Sequence, residues 1–280
     1  MVLKRIFNVK SVLDFTYMFL SNIIKKVLGF VREMILAFFF GSSIAYANYL
    51  LLKTVADFFS QFTLGNALQA NLMPKFTKLY TKSDSIDLSV VYAFSKGFAW
   101  KLFLISQLLQ LSIIWYINPE NYFLYLGVSI LLSVVMSTNF FNSIFLIILQ
   151  ARGEFKRHAI ATAVNASVAT FVLFPITALF NLIGVVLSRL IGIFTLTLKY
   201  IKPLIQEKGV TKCDLSLNDF NISILLLGNF ANIIMLLGRF VAGTDGGNNI
   251  TFYTYSVVLL NALLTSVIVN INTLVLKIIS

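Results

Sequence analysis

The sequence predicts an all-α, polytopic transmembrane helical bundle of about eight spans, and three observations carry that prediction. Apolar residues make up 58% of the chain and charged residues only 12%, whereas a soluble domain carries roughly 25% charged residues. Apolar runs of near-membrane length recur from end to end, so one large soluble core does not account for the excess. Basic residues punctuate those runs at every second loop.

The runs fall at 11–40, 44–72, 88–118, 121–150, 158–179, 181–201, 218–243 and 249–276. Crossing a hydrocarbon core takes ~20 helical residues, so the first runs are long enough to tilt or to project from the bilayer. They are continuous and lack the ~10-residue alternation of an outer-membrane barrel. Met1-Val2-Leu3-Lys4-Arg5 precedes no short apolar stretch with a small-residue cleavage site, so the first run reads as a retained span.

Orientation follows from the loops. Lys4, Arg5 and Lys10 precede span one, and Lys75, Lys78 and Lys82 follow span two. Arg152, Lys156 and Arg157 follow span four, and Lys199, Lys202, Lys208 and Lys212 follow span six. The intervening loops, 41–48, 118–121, 180–184 and 243–249, hold no Lys or Arg. Basic loops stay inside, which places both termini, including Lys277, in the cytoplasm of a bacterial inner membrane. The polar stretch 199–218 is the best linker. It divides the chain into a complete six-helix lobe with its linker (1–212) and the first two helices of a second lobe (213–280).

Composition also limits the function. The net charge is +11, yet the basic residues are spread between apolar runs, so a nucleic-acid partner is not expected. Cys213 is the only cysteine and His158 the only histidine. An intrachain disulfide framework and a zinc site are therefore excluded. His158 adjoins Arg157 and reads as a solvated loop residue. No large loop carries an acidic metal-binding cluster, which argues against a membrane glycosyltransferase and for a protein that is no enzyme.

Charges inside the spans are the candidate functional residues, because each costs ~2.5–3.5 kcal/mol at the bilayer centre unless it meets a wet cavity or a partner. Asn22, Lys25, Lys26, Gly29, Arg32 and Glu33 form one polar stripe at helical spacing on span one. Span two carries Lys53 and Asp57, whose i,i+4 spacing makes an ion pair the first expectation. Arg239 lies in span seven. Lys101 and Arg189 either snorkel to the interface or face the interior. Cations outnumber acids, so the stripes read as a cationic cavity suited to an anion such as a pyrophosphate.

The segment Lys26-Val27-Leu28-Gly29-Phe30-Val31-Arg32-Glu33 resembles the MurJ/MviN family of lipid II flippases, within the superfamily of multidrug, oligosaccharidyl-lipid and polysaccharide exporters. The resemblance continues through Phe40-Gly41, Gly65 to Pro74, Leu149 to Phe155, Arg239-Phe240-Val241-Ala242 and Tyr255 to Ser280. It implies a two-lobed transporter that alternates access around a central cationic cavity. Its substrate would be an undecaprenyl-pyrophosphate-linked glycan precursor, moved to the outer leaflet for cell-wall synthesis. It further implies that Lys26 and Arg32 contact substrate and that Glu33 sets the gate. Three positions depart from the family pattern: Ala47 replaces an aspartate, Ser60 an arginine, and Val257-Val258 an Asp-Arg pair. Such transporters usually carry twelve to fourteen spans, so a second chain supplying the missing helices is an expected partner beside membrane lipids. No cofactor is expected, and the energy source is left open between membrane potential and a monovalent ion. An O-antigen or capsule repeat-unit flippase and a truncated, non-transporting remnant are the alternatives.

The orientation is directly testable. In a Cys213→Ser background, Asn121→Cys should react with a membrane-impermeant maleimide from outside intact cells. Lys156→Cys should react only after permeabilisation, and the reverse pattern would contradict the loop-charge reading.

Overall fold

The structure, a computed structural model, describes residues 9–260 apart from 64–65, 83–85, 208, 210, 214, 217–218 and 245–246. Lys4, Arg5, Gly65, Lys208, Lys277 and the stretch 261–276 of the eighth expected span lie outside the described residues.

The chain is all-helical but for one two-residue strand pair. Helix α1 spans Val9–Phe40, α2 Ile44–Thr63, α3 Asn66–Tyr80, α4 Ser89–Ile117 and α5 Tyr122–Ala151. Helix α6 spans Phe155–Leu196 and runs through a π-helical turn, Thr197–Ile201, into the short α7, Lys202–Ile205. Helices α8, Ile222–Gly243, and α9, Asn249–Leu260, follow. Ser89–Ile117, Tyr122–Ala151 and the continuous stretch Phe155–Ile205 are long and apolar enough to cross a membrane. Helix α1, with 32 residues, has the length, ~48 Å, but carries the polar stripe.

Local chemistry sets the breaks. Gly41 adopts φ +52 and its N–H bonds the Ala37 carbonyl at 2.9 Å, a left-handed stop to α1. The Ser43 hydroxyl then accepts the Tyr46 N–H at 3.3 Å and caps α2. Asn118, at φ 45, ends α4 in the same left-handed way. Within α6, Asn181 takes φ 51 and ψ −130 and folds the helix back on itself. The two arms, 155–180 and 182–196, correspond to the fifth and sixth expected spans.

Small residues let those arms touch. A Cβ on Gly184 would meet the Ile176 backbone and lie 2.8 Å from the Thr177 Cα. A Cβ on Gly192 would lie 2.7 Å from the Asn165 carbonyl oxygen. Between apolar helices in lipid there is no hydrophobic drive to associate, so close packing and buried hydrogen bonds hold the bundle. Gln107 donates to the Ser129 hydroxyl and Gln110 to that of Ser133, each at 3.0 Å, tying α4 to α5. Asn142 donates to Thr197 at 2.9 Å, and Ser21 to the Ala159 carbonyl at 2.9 Å, tying α5 and α1 to the α6 arms.

Two stretches bear comparison with the sequence expectation. In the second run, 44–72, the described residues lie in α2 up to Thr63 and in α3 from Asn66, and 64–65 lie outside the described residues. Lys75 and Lys78 thus sit on a helix rather than in a loop, with Pro74 on its exposed face. The stretch 199–218 is also more ordered than a bare linker. Ile86–Asp87 (β1) pairs in parallel with Thr211–Lys212 (β2), and Phe220 stacks on Phe94 and Phe98 at the start of α4. Lys75 donates to both Asp219 carboxylate oxygens at 2.7 Å. Partial burial opposes ionisation of Asp219, yet hydrogen bonds from Lys75 and Ser216 outweigh it and hold the carboxyl below its ordinary pKa. Arg152 bridges Glu154 and Glu207 nearby, so the end of the bundle that carries the basic loops is laced by ion pairs.

Gly184→Ala should lower thermal stability in detergent by about 1–3 kcal/mol through overpacking. Gly127→Ala, in α5 with nothing within 4 Å of the new Cβ, should instead gain about 0.5–1 kcal/mol. Equal responses would contradict the packing of the α6 arms.

Candidate functional site

The stripe on α1 packs against α6 and shares a cavity wall with α5. Arg32 lies eight residues from the end of α1 and Asp57 thirteen from the start of α2, or ~12 Å and ~20 Å along their axes. In a ~30 Å hydrocarbon core those depths straddle the midplane.

The charges sort into two groups. In the first, the Asp57 carboxylate takes Lys53 Nζ at 3.1 Å and Arg239 Nη1 at 3.0 Å, both through Oδ2. Lys53 and Asp57 pair as their i,i+4 spacing predicts, and Arg239 arrives from α8. This triad joins α2 to α8. All three side chains are largely buried, so the attraction is little screened by solvent.

The second group surrounds a cavity of about 280 Å³ inside the bundle, lined by Lys25, Gly29 and Arg32 of α1 and Arg189 of α6. Asn139 of α5 and Asn165 and Thr170 of α6 complete its polar wall, and no acid lines it. Arg32 Nε and Nη2 and Arg189 Nε are buried and have no hydrogen-bond partner among the described residues. The two guanidinium groups are close enough to act on each other as like charges. Glu33 sits beside them, with a buried Oε2 that also lacks a partner. Taken together, Lys25, Arg32, Lys53, Arg189 and Arg239 face only Glu33 and Asp57, an excess of three positive charges.

Stacked rings close the far side. Phe40 stacks on Tyr46 at 5.4 Å, Tyr46 on Tyr49 at 5.6 Å and Tyr46 on Tyr255 at 6.3 Å. The Tyr255 hydroxyl donates to the Gly41 carbonyl at 3.1 Å, pinning α9 over the α1–α2 turn. The cavity runs the other way, from Arg32 towards Lys25, seven residues or ~10 Å nearer the basic end.

Not every expected residue joins the site. Lys25, Arg32 and Arg239 are brought together with Lys53, Asp57 and Glu33, but Asn22 and Lys26 are exposed and do not line this cavity. The helical period explains it: with 3.6 residues per turn, Lys25, Gly29 and Arg32 share a face, while Lys26 lies about 100° round from Lys25. Arg189 does not snorkel; it belongs to the cavity. Mid-span Asn139 and Asn165 were overlooked, although an amide in an apolar run is itself a signal of an interior face. His158 is not a solvated loop residue. It lies in the first turn of α6, half-buried, with an Nδ1 that has no partner.

Asp57→Asn should destabilise the protein by about 3 kcal/mol, because two buried cations lose their shared acid. Lys53→Met should cost much less, since Arg239 still neutralises Asp57. Thermal unfolding of both variants in detergent checks the order, and the opposite order would contradict the triad.

No protein-family model matches the sequence, and no curated protein matches it. Among solved structures the fold is distantly similar to a MOP superfamily transporter from Pyrococcus furiosus, with TM-score 0.46 and 15% identity over 87% of this chain and 56% of that one. It is similar too to a MATE structure in the straight conformation, with TM-score 0.49 and 15% identity over 89% of this chain and 58% of that one. The chain spans a little over half the length of these solved transporters.

Proposed function

We propose that this chain is a flippase, or the larger part of one, that carries the anionic headgroup of an undecaprenyl-pyrophosphate-linked glycan from the cytoplasmic to the outer leaflet of the bacterial inner membrane. One observation carries the reading: buried guanidinium nitrogens of Arg32 and Arg189, without partners, converge with Lys25 on an acid-free cavity. Leaving such groups unpaired in a low-dielectric interior is costly, and a polyanion with several acceptor oxygens removes that cost. A cationic drug or a sodium ion would be repelled.

In this reading the cavity faces the cytoplasm through Lys25, and the stacked rings beside Tyr46 bar the outside. The pyrophosphate neutralises Lys25, Arg32 and Arg189, and the prenyl tail stays in lipid. Residues 1–212 form the first lobe and 213–280 begin the second. The Lys53–Asp57–Arg239 triad is the charged contact between them. Loss of that contact when the anion competes for Arg239 would let the lobes rock, the mode by which repeat-built transporters alternate access. A cavity of this size takes the diphosphate and little of the glycan.

The test is transport in proteoliposomes with lipid II, read by accessibility to an enzyme added outside, together with any partner chain that copurifies. Arg32→Ala and Arg189→Ala should each lower transport about tenfold or more while membrane insertion is unchanged. Undiminished transport in both variants would overturn the assignment.

A further inference from the structure

A second cavity, at the opposite end of the bundle, has the contrary chemistry. It measures about 670 Å³ and lies between the start of α2, the α4–α5 turn and the end of α8. Asn118 and Asn121 offer amides, Glu120 a carboxylate and Tyr116 an exposed ring and hydroxyl, while the Tyr125 hydroxyl donates to the Ala45 carbonyl at 3.3 Å and is bonded with Asn48. No Lys or Arg lines it. The Asn118, Glu120 and Asn121 side chains make no hydrogen bond among the described residues, so their donors and acceptors are open to a ligand.

Below this mouth the lining turns apolar. A cavity of about 540 Å³ shares Leu51, Tyr116, Ile117, Gly243 and Thr244 with it, and is otherwise walled by side chains such as Val55, Leu109 and Phe240. A third, of about 130 Å³, shares Val55, Leu109 and Phe240 with the second and reaches Phe58 and Phe59. The three make one groove along α2 from Ile44 to Phe59, ~22 Å by helical rise. That length exceeds the ~15 Å depth of one leaflet's hydrocarbon, enough for a single prenyl or acyl chain laid lengthwise.

We propose that this groove is a glycolipid site: the mouth holds neutral sugar and the apolar channel beneath holds the lipid chain. Its occupant is a neutral glycolipid whose sugar is joined to the lipid without a phosphate, so the inference stands apart from the flippase reading and its pyrophosphate-linked substrate. Sugar hydroxyls donate and accept at once, and amide side chains answer both through one planar group. Tyrosine rings present an apolar face with a polar edge, which matches the two characters of a pyranose. A phosphodiester is disfavoured here, because Glu120 repels it and no cation compensates.

The test uses the full chain in nanodiscs and two photoactivatable probes, an N-acetylglucosaminyl lipid and phosphatidylglycerol, each with a diazirine in its chain. The sugar lipid should label peptides within 109–121 or 236–244 in preference to the phospholipid, and free N,N′-diacetylchitobiose should compete. Tyr116→Ala with Asn121→Ala, both exposed positions whose truncation leaves the packing intact, should lower that labelling about fivefold or more. Equal labelling by both lipids, or labelling indifferent to the two substitutions, overturns the proposal. Labelling is read without transport, so its failure leaves the Arg32 experiment to decide the flippase reading by itself.

Discussion

The structure turns on the way Asp57 is shared. One carboxylate at mid-membrane depth answers Lys53 on its own helix and Arg239 on α8. In lipid, helices gain nothing from burying apolar surface against each other rather than against acyl chains, so a charged contact of this kind is what fixes α8 against α2. Asp57 also explains what it leaves over. Having spent its charge on two partners, it has none for Arg32 and Arg189, and Glu33 alone cannot balance both. The unpaired guanidinium nitrogens of Arg32 and Arg189 follow from that imbalance, and the proposed anion site rests on them.

The rest of the bundle supports this arrangement. The α6 hairpin needs Asn181 in a left-handed conformation and Gly184 and Gly192 at the contact, and only then does Arg189 come level with Arg32. The Gln107–Ser129 and Gln110–Ser133 bonds hold α4 on α5, which carries Asn139 into the cavity wall. At the basic end, the β1–β2 pair, the Lys75–Asp219 bond and the Phe220 stack bind the 206–221 segment to α3 and α4. The residues that lead into α8 are thereby held to the same bundle that carries the cations. The opposite end is held by a ring stack and a single hydroxyl bond from Tyr255. Breaking it exposes fewer charges.

Much of this was legible in the residues. Six of the apolar runs map onto helices within a few positions, because hydropathy over ~20 residues is a strong signal when no other solvent is available to the backbone. The Asn181 break was visible as a short polar interruption at 180–184. The i,i+4 spacing of Lys53 and Asp57 was enough to pair them. What could not be read was which charge on a helix faces which neighbour. Lys25 and Lys26 are adjacent in sequence and about 100° apart on the helix, so the stripe alone did not separate them. Arg239 on Asp57 and Arg189 beside Arg32 are long-range contacts that depend on helix order and depth. The two-residue strand pair leaves no hydropathy signature, since it rests on a few backbone bonds.

The central claim is that surplus buried cations hold a polyanionic lipid headgroup. Native mass spectrometry of the protein, purified gently from its own membrane, tests it most directly, since intact mass and retained lipid are read together. A pyrophosphoryl isoprenoid glycan retained by the wild type and lost from Arg32→Ala is the result the account predicts. Retention of bulk phospholipid alone, unchanged by that substitution, would contradict it.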